Sequence, residues 1–176
     1  MRRKSTYSLG PELIAQPNDL TASPWSTGGA GATTTANAAA GPDGSVTASS
    51  INDASGSIAM RRSYALTLLP GAYYEASAWF KSDTSNYPAL WVQSTTIYTA
   101  VIDLEAVDVV ATPEVSGARV SDGALGGWVR LTMLFYAATA SSSLRIYPAW
   151  AASLTTTEGA AATGIVFAWG VSVRKK

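Results

Sequence analysis

Gly127-Trp128-Val129-Arg130-Leu131-Thr132-Met133-Leu134-Phe135 carries the pattern that decides the fold. Val129, Leu131, Met133 and Phe135 occupy every second position and form an unbroken apolar face, with Arg130 and Thr132 between them. Successive side chains of a β-strand point to opposite sides, so a period of two predicts a strand with one face in a core and one outside it. Tyr74, Ala76, Ala78 and Phe80 repeat the pattern against Glu75, Ser77 and Lys81. Ile165, Phe167, Trp169, Val171 and Val173 repeat it again, with Val166, Ala168, Gly170 and Ser172 as their alternates. Those small or apolar alternates predict a strand covered on both faces.

Turn residues separate such runs at Gly28-Gly29, Gly41-Pro42-Asp43-Gly44, Pro70-Gly71, Asp122-Gly123 and Gly126-Gly127, and again across 53–56 and 159–164. No segment keeps an apolar stripe at helical spacing, so the chain is expected to be all-β, an antiparallel sandwich or barrel. The Gly/Ala/Ser/Thr-rich stretch 27–56 resembles a disordered tract in composition. Its threonines and valines nevertheless suit strands over 32–37 and 45–51, joined by the Pro42-Asp43-Gly44 turn. There is no internal repeat. The expected organisation is a short basic N-terminal arm, 1–10, and one domain, 11–176.

A chain of 176 residues with 47% apolar content is large enough for a single buried core. Charged residues make up only 14%, which predicts a neutral, hydroxyl-rich surface. Net charge is zero, but Arg2, Arg3, Lys4, Arg174, Lys175 and Lys176 supply half of the twelve cations, and all twelve acidic residues lie between these two ends. Arg2, Arg3 and Lys4 read as an assembly arm that pairs with an acidic neighbour, or as a solubilising tail. Aromatics are not interleaved with them, so no nucleic-acid partner is expected. The chain has no cysteine and no histidine, which excludes disulfides, thiolate metal sites and His-dependent triads. Residues 5–10 give no apolar run of leader length, and the longest apolar run is broken by Gly170 and Ser172, so neither a secretory leader nor a membrane span is expected.

Leu9-Gly10-Pro11-Glu12-Leu13-Ile14, Asn18-Asp19-Leu20 and Trp25 open the chain; Asn37-Ala38, Pro42-Asp43-Gly44, residues 73–81, Val101-Ile102-Asp103-Leu104-Glu105, Gly127-Trp128-Val129-Arg130 and 164–170 follow in order. This succession resembles a carbohydrate-binding-module-like β jelly roll, a galactose-binding-like sandwich, as found in bacteriophage virion structural proteins. The resemblance implies two antiparallel sheets packed face to face. A concave face or loop edge binds saccharide in glycan-active members, and the fold serves as scaffold in others. Some members hold a structural calcium ion with early and late carboxylates. Here Val173, Arg174 and Lys175 follow Trp169-Gly170 where an acidic residue often closes the last strand, so no metal is expected, and no cofactor.

Saccharide binding needs aromatic faces for pyranose rings and polar groups for their hydroxyls. Six Trp and eight Tyr supply the first. If Leu90 and Val92 are core, Trp91 and Gln93 face outward; Arg145 and Tyr147 likewise oppose Leu144 and Ile146. Trp91, Gln93, Tyr98, Arg145 and Tyr147 are therefore the candidate glycan-binding residues, against the plainer reading in which Trp91 packs under a loop or a neighbouring subunit. Trp79, opposing Ala78 and Phe80, is a further outward aromatic. Trp128 and Trp169 read as core, Trp25 as closing one end of the sandwich, and Trp150 as a core lid or a protein contact.

Asp103 and Glu105, two residues apart on an expected strand, are the one carboxyl pair with a spacing suited to glycoside acid-base chemistry, although a solvated face explains them better. Gly28-Gly29-Ala30-Gly31 lacks the lysine and helix of a phosphate-cradling loop. The chain is thus expected to be non-enzymatic: a structural or decoration component of a phage particle, attached to capsid or tail. Its partners would be other virion proteins and further copies of itself, with display of the outer face to host glycans as an added role. The alternative is a carbohydrate-binding module recognising host-surface or environmental polysaccharide.

Overall fold

The computed structural model describes residues 9–29, 33–56, 59–111, 118–123, 126–150 and 162–176. These contain no helix, and hence none long and apolar enough to cross a membrane. The twelve strands are β1 (Ser26–Gly28), β2 (Thr33–Ala40), β3 (Val46–Asp53), β4 (Arg61–Thr67), β5 (Ala72–Ser82), β6 (Ala89–Gln93), β7 (Ile97–Asp103), β8 (Asp108–Ala111), β9 (Arg119–Gly123), β10 (Trp128–Ala137), β11 (Ser141–Tyr147) and β12 (Gly164–Lys175). They form two six-stranded sheets, ordered β2-β3-β12-β5-β10-β9 and β1-β4-β11-β6-β7-β8, and every pairing is antiparallel. The all-β, two-sheet jelly-roll expectation is met.

The core lies between the sheets. Tyr74, Ala76, Ala78 and Phe80 of β5 and Val129, Leu131, Met133 and Phe135 of β10 pack there against Leu90 and Val92 of β6 and Leu144 and Ile146 of β11. Each fully buried side chain of this kind contributes roughly 1.5–3 kcal/mol. Trp25 meets Tyr64 edge-on at 5.0 Å and donates its indole N–H to Gln16 O, closing one end of the sandwich.

Two departures from strict alternation shape the outer surface. Between Trp169, opposite Trp79, and Ser172, opposite Ser77, β12 uses one more residue than β5. Gly170 takes up the extra residue at φ +59°, a left-handed conformation open to glycine, and its N–H is held by Asn18 Oδ1 at 2.9 Å. Val171 and Val173 consequently enter the core with Val166 and Ala168, while Phe167, Trp169 and Ser172 lie on the opposite side. The expectation that Trp169 shares a face with Val171 and Val173 is corrected by this bulge.

Residues 10–17 form the second departure, running antiparallel along the last part of β12. Gly10 N–H bonds Lys175 O at 2.8 Å, Leu13 N–H bonds Val173 O at 3.0 Å, and Val171 N–H bonds Pro17 O at 2.9 Å. Arg2, Arg3 and Lys4, the expected assembly arm, lie outside the described residues.

Candidate functional site

The outer face of the first sheet is built by the alternates of the core residues. On β5 these are Glu75, Ser77, Trp79 and Lys81; on β10, Trp128, Arg130 and Thr132; on β12, Phe167, Trp169, Ser172 and Arg174. Trp79 sits directly opposite both Trp169 and Arg130, so two indoles and a guanidinium share one rung across the three central strands. Directly opposed Cβ atoms lie about 5 Å apart. Both indoles are half-buried, each with surface left open.

A cleft of about 440 Å³ runs over this rung, walled by Glu12, Asn18, Glu75, Trp79, Arg130 and Trp169 among others. A second hollow of about 390 Å³ is lined by Lys81 and Trp128 of the same face, against the 40–44 turn. Trp128 is buried as expected, but on the outer face rather than in the inter-sheet core, with its indole N–H on Ala40 O at 3.1 Å.

Local chemistry fixes these groups. Trp169 donates its indole N–H to Thr47 Oγ1 at 2.9 Å, and Gly41 lies so close that a Cβ there would stand 2.6 Å from the indole nitrogen. Only glycine lets the turn close down on the ring. Arg130 donates from Nη2 to Ser77 Oγ at 3.0 Å, with its guanidinium carbon 6.0 Å from the Trp79 ring centroid.

Glu12 accepts from the backbone N–H groups of Leu13, Ile14 and Val173, from the Ser172 hydroxyl and from Arg174 Nε at 3.1 Å. Burial works against its charge, but the bonds from Ser172, Ile14, Val173 and Arg174 outweigh it and hold the carboxyl below its usual range. Glu75 is clamped between Lys176 Nζ at 2.8 Å and Arg119 Nη2 at 3.3 Å.

Four of the five sequence candidates come together elsewhere, on the outer face of the second sheet. Trp91 lies across from Arg145, whose guanidinium carbon is 3.9 Å from the Trp91 ring centroid. Arg145 also reaches Tyr147 OH at 3.5 Å and Gln93 Oε1 at 3.4 Å. Trp91, however, is only 2% exposed, and Tyr147 is fully buried. With Ala59, Ala89, Val101 and Trp150 they form a small second core, Tyr147 meeting Trp150 edge-on at 4.8 Å. Trp91 points away from the main core as expected, but it offers no open ring face. Tyr98, the fifth candidate, faces inward and packs on Phe135 at 5.9 Å, because it alternates with Thr99 in phase with Ala100 and Ile102.

Asp103 and Glu105 do not share a strand face. Asp103 ends β7 and accepts the N–H groups of Glu105 and Ala106, an Asp-initiated turn. The pair raises the pKa of the nearby Tyr87 phenol, chiefly through the charge of Asp103, and neither carboxylate lines the two hollows described above. The residues present do not fit a calcium site of the implied kind. The early carboxylate Glu12 is taken up by five donors, and no three His, Cys, Asp or Glu side chains converge among the described residues.

In sequence the chain matches no family model and no curated protein. In structure it is similar to several solved modules. The xylan-binding CBM22-1 domain of Paenibacillus barcinonensis Xyn10C superposes with a TM-score of 0.54 at 15% identity, over 96% of this chain and 94% of that one. TmCBM61, solved in complex with β-1,4-galactotriose, gives 0.55 at 13% identity over 95% and 100%. The fold is that of the carbohydrate-binding modules. A third structure joins CBM22-1 and GH10 modules of the Clostridium thermocellum xylanase Xyn10B, complexed with xylohexaose. It matches with a TM-score of 0.55 at 17% identity over 96% of this chain, which spans only 28% of that longer protein. A bacteriophage particle finds no echo in these likenesses.

Sequence reasoning put Trp169 in the core and gave Arg130 no place, whereas the structure sets both beside Trp79 on the open face. A signal for the first was present: a glycine inside an otherwise regular strand pattern marks a bulge, and Gly170 directly follows Trp169.

Proposed function

We propose that this chain is a non-catalytic carbohydrate-binding module that takes a polysaccharide in the cleft on the outer face of the first sheet. Trp79 and Trp169 supply the stacking surface; Arg130 and Lys81 supply donors for hydroxyl or carboxylate oxygens. One observation carries this reading: two half-buried indoles stand opposite each other on the central strands of an open cleft. Half-buried aromatics flanked by donors are what sugar recognition requires, and the xylan and β-1,4-galactotriose named for the similar modules are of this chemical class. Arg2, Arg3 and Lys4, the arm on which the particle-component reading partly rests, lie outside the described residues, and the similar structures lend that reading no support.

Calorimetry of the full chain against soluble xylan, β-1,4-galactan and acidic plant polysaccharides tests the proposal. Saturable binding is expected, weakened by Trp79→Ala by about 2 kcal/mol, or roughly 30-fold, as for a central aromatic anchor. Absence of binding across the panel, or binding indifferent to Trp79→Ala, would end it.

A further inference from the structure

The charges around the cleft narrow the ligand, provided the cleft is the saccharide site proposed above. Its carboxylates are already satisfied. Glu12 is held by Arg174 and Glu75 by Lys176 and Arg119, while Asp43, at the far hollow, accepts from the Ser45 N–H and hydroxyl. Two cations are left over. Lys81, the next outward residue beyond Trp79 on β5, makes no ion pair among the described residues.

Arg130 is the stronger case. Among the described residues its one hydrogen bond is to Ser77 Oγ, its Nε is buried without a partner, and no carboxylate lies within ion-pairing distance. The side chain is half-buried and lines the cleft, so its remaining Nη donors, and not the enclosed Nε, are the ones a ligand there can engage. Arg145 on the second sheet shows the contrast, being supplied by Gln93 and Tyr147.

A planar guanidinium beside an indole suits one class of sugar. A pyranose stacked on Trp79 that carries a carboxylate on its ring would place an anion where Arg130 can donate to it, and charge-assisted bonds of this kind are stronger than those to a hydroxyl. Lys81, diagonal to Arg130 across β5 and β10, reinforces the positive field. We infer that the cleft selects polysaccharides containing uronic acid, with Arg130 receiving the carboxylate and Lys81 assisting.

The test compares glucuronoxylan and polygalacturonate with the same polymers after carboxyl reduction, using the intact chain. At least one acidic polymer is expected to bind about tenfold more tightly than its reduced form, a difference of about 1.4 kcal/mol. Arg130→Gln should erase that preference, weakening the acidic polymer about tenfold more than its reduced form, so that the ratio of the two affinities falls to about one. Lys81→Gln, on a side chain with no ion pair among the described residues, should diminish it less, and thermal melts of both variants report on folding. Equal affinity for acidic and reduced polymers overturns the inference and leaves the proposed function standing; binding to neither overturns the inference, and the proposed function falls with it when β-1,4-galactan also fails to bind. Acidic binding that survives Trp79→Ala and vanishes at about 1 M salt, where the screening length is about 3 Å, also overturns it, since that describes diffuse ion attraction.

Discussion

Each sheet turns a tryptophan and an arginine away from the core, yet the two pairs have opposite fates. On the second sheet Arg145 lies flat on Trp91 at 3.9 Å, its donors shared between Gln93 and Tyr147, and the indole is sealed by Tyr147, Trp150 and Ala59. On the first sheet Arg130 stands 6.0 Å from Trp79, tied only to Ser77, and a cleft stays open above both. An outward direction is therefore insufficient for recognition. What separates a binding surface from a second core is whether the neighbouring chain leaves ring surface and donors unclaimed.

Removing each tryptophan should break this contrast in opposite ways. Trp91→Ala deletes a fully packed indole and should cost about 3–5 kcal/mol of stability, read by urea unfolding, with saccharide affinity of the folded fraction unchanged. Lost affinity at full stability would reverse the assignment of the two faces. Trp79→Ala, with its roughly 30-fold loss of binding, should leave the unfolding midpoint nearly where it was, because that ring is only half-buried.

Acidification sharpens the comparison through Glu12, a carboxylate held by five donors beside the first-sheet cleft. Its carboxyl titrates below the usual value of 4.5 in the folded chain, so the stability it lends is present above pH 4.5 and is lost as pH falls through the lower, folded value. Amide exchange at Leu13 and Val173 should quicken over that acidic range in the wild type and be insensitive to it in Glu12→Gln. Gln93→Ala should do least. It removes one long bond on an exposed side chain, and its effect on melting and on binding should stay within about 0.5 kcal/mol.

The sandwich was legible because β5 and β10 keep strict alternation from end to end, and a period of two leaves no other way to bury Tyr74 through Phe80 against Val129 through Phe135. Composition did not hide β2 and β3 either, although Thr33–Ala40 runs on past the expected boundary through Asn37 at φ 54°. The site was harder. Alternation places Trp91, Gln93, Arg145 and Tyr147 outside the main core correctly, but exposure depends on Ala59, Tyr87 and Trp150, which come from other parts of the chain. Tyr98 was named a candidate without a face, and its phase in β7, shared with Ala100 and Ile102, turns it toward the core, where it is half-buried. Trp169 was concealed by the bulge at Gly170, since beyond an inserted residue the same spacing names the opposite face. Charge pairing across strands, as between Glu75 and Lys176, follows from register and is invisible in composition.

The zipper between residues 10–17 and β12 has a mechanical side. Because the two segments are antiparallel, Leu9 and Lys176 emerge at the same corner, and tension between them would part the bonds in succession, from Gly10–Lys175 toward Pro17–Val171, instead of loading them together. Glu12 rides on the yielding segment, so such tension would peel away one bank of the groove and draw Ile14 out of the core with it.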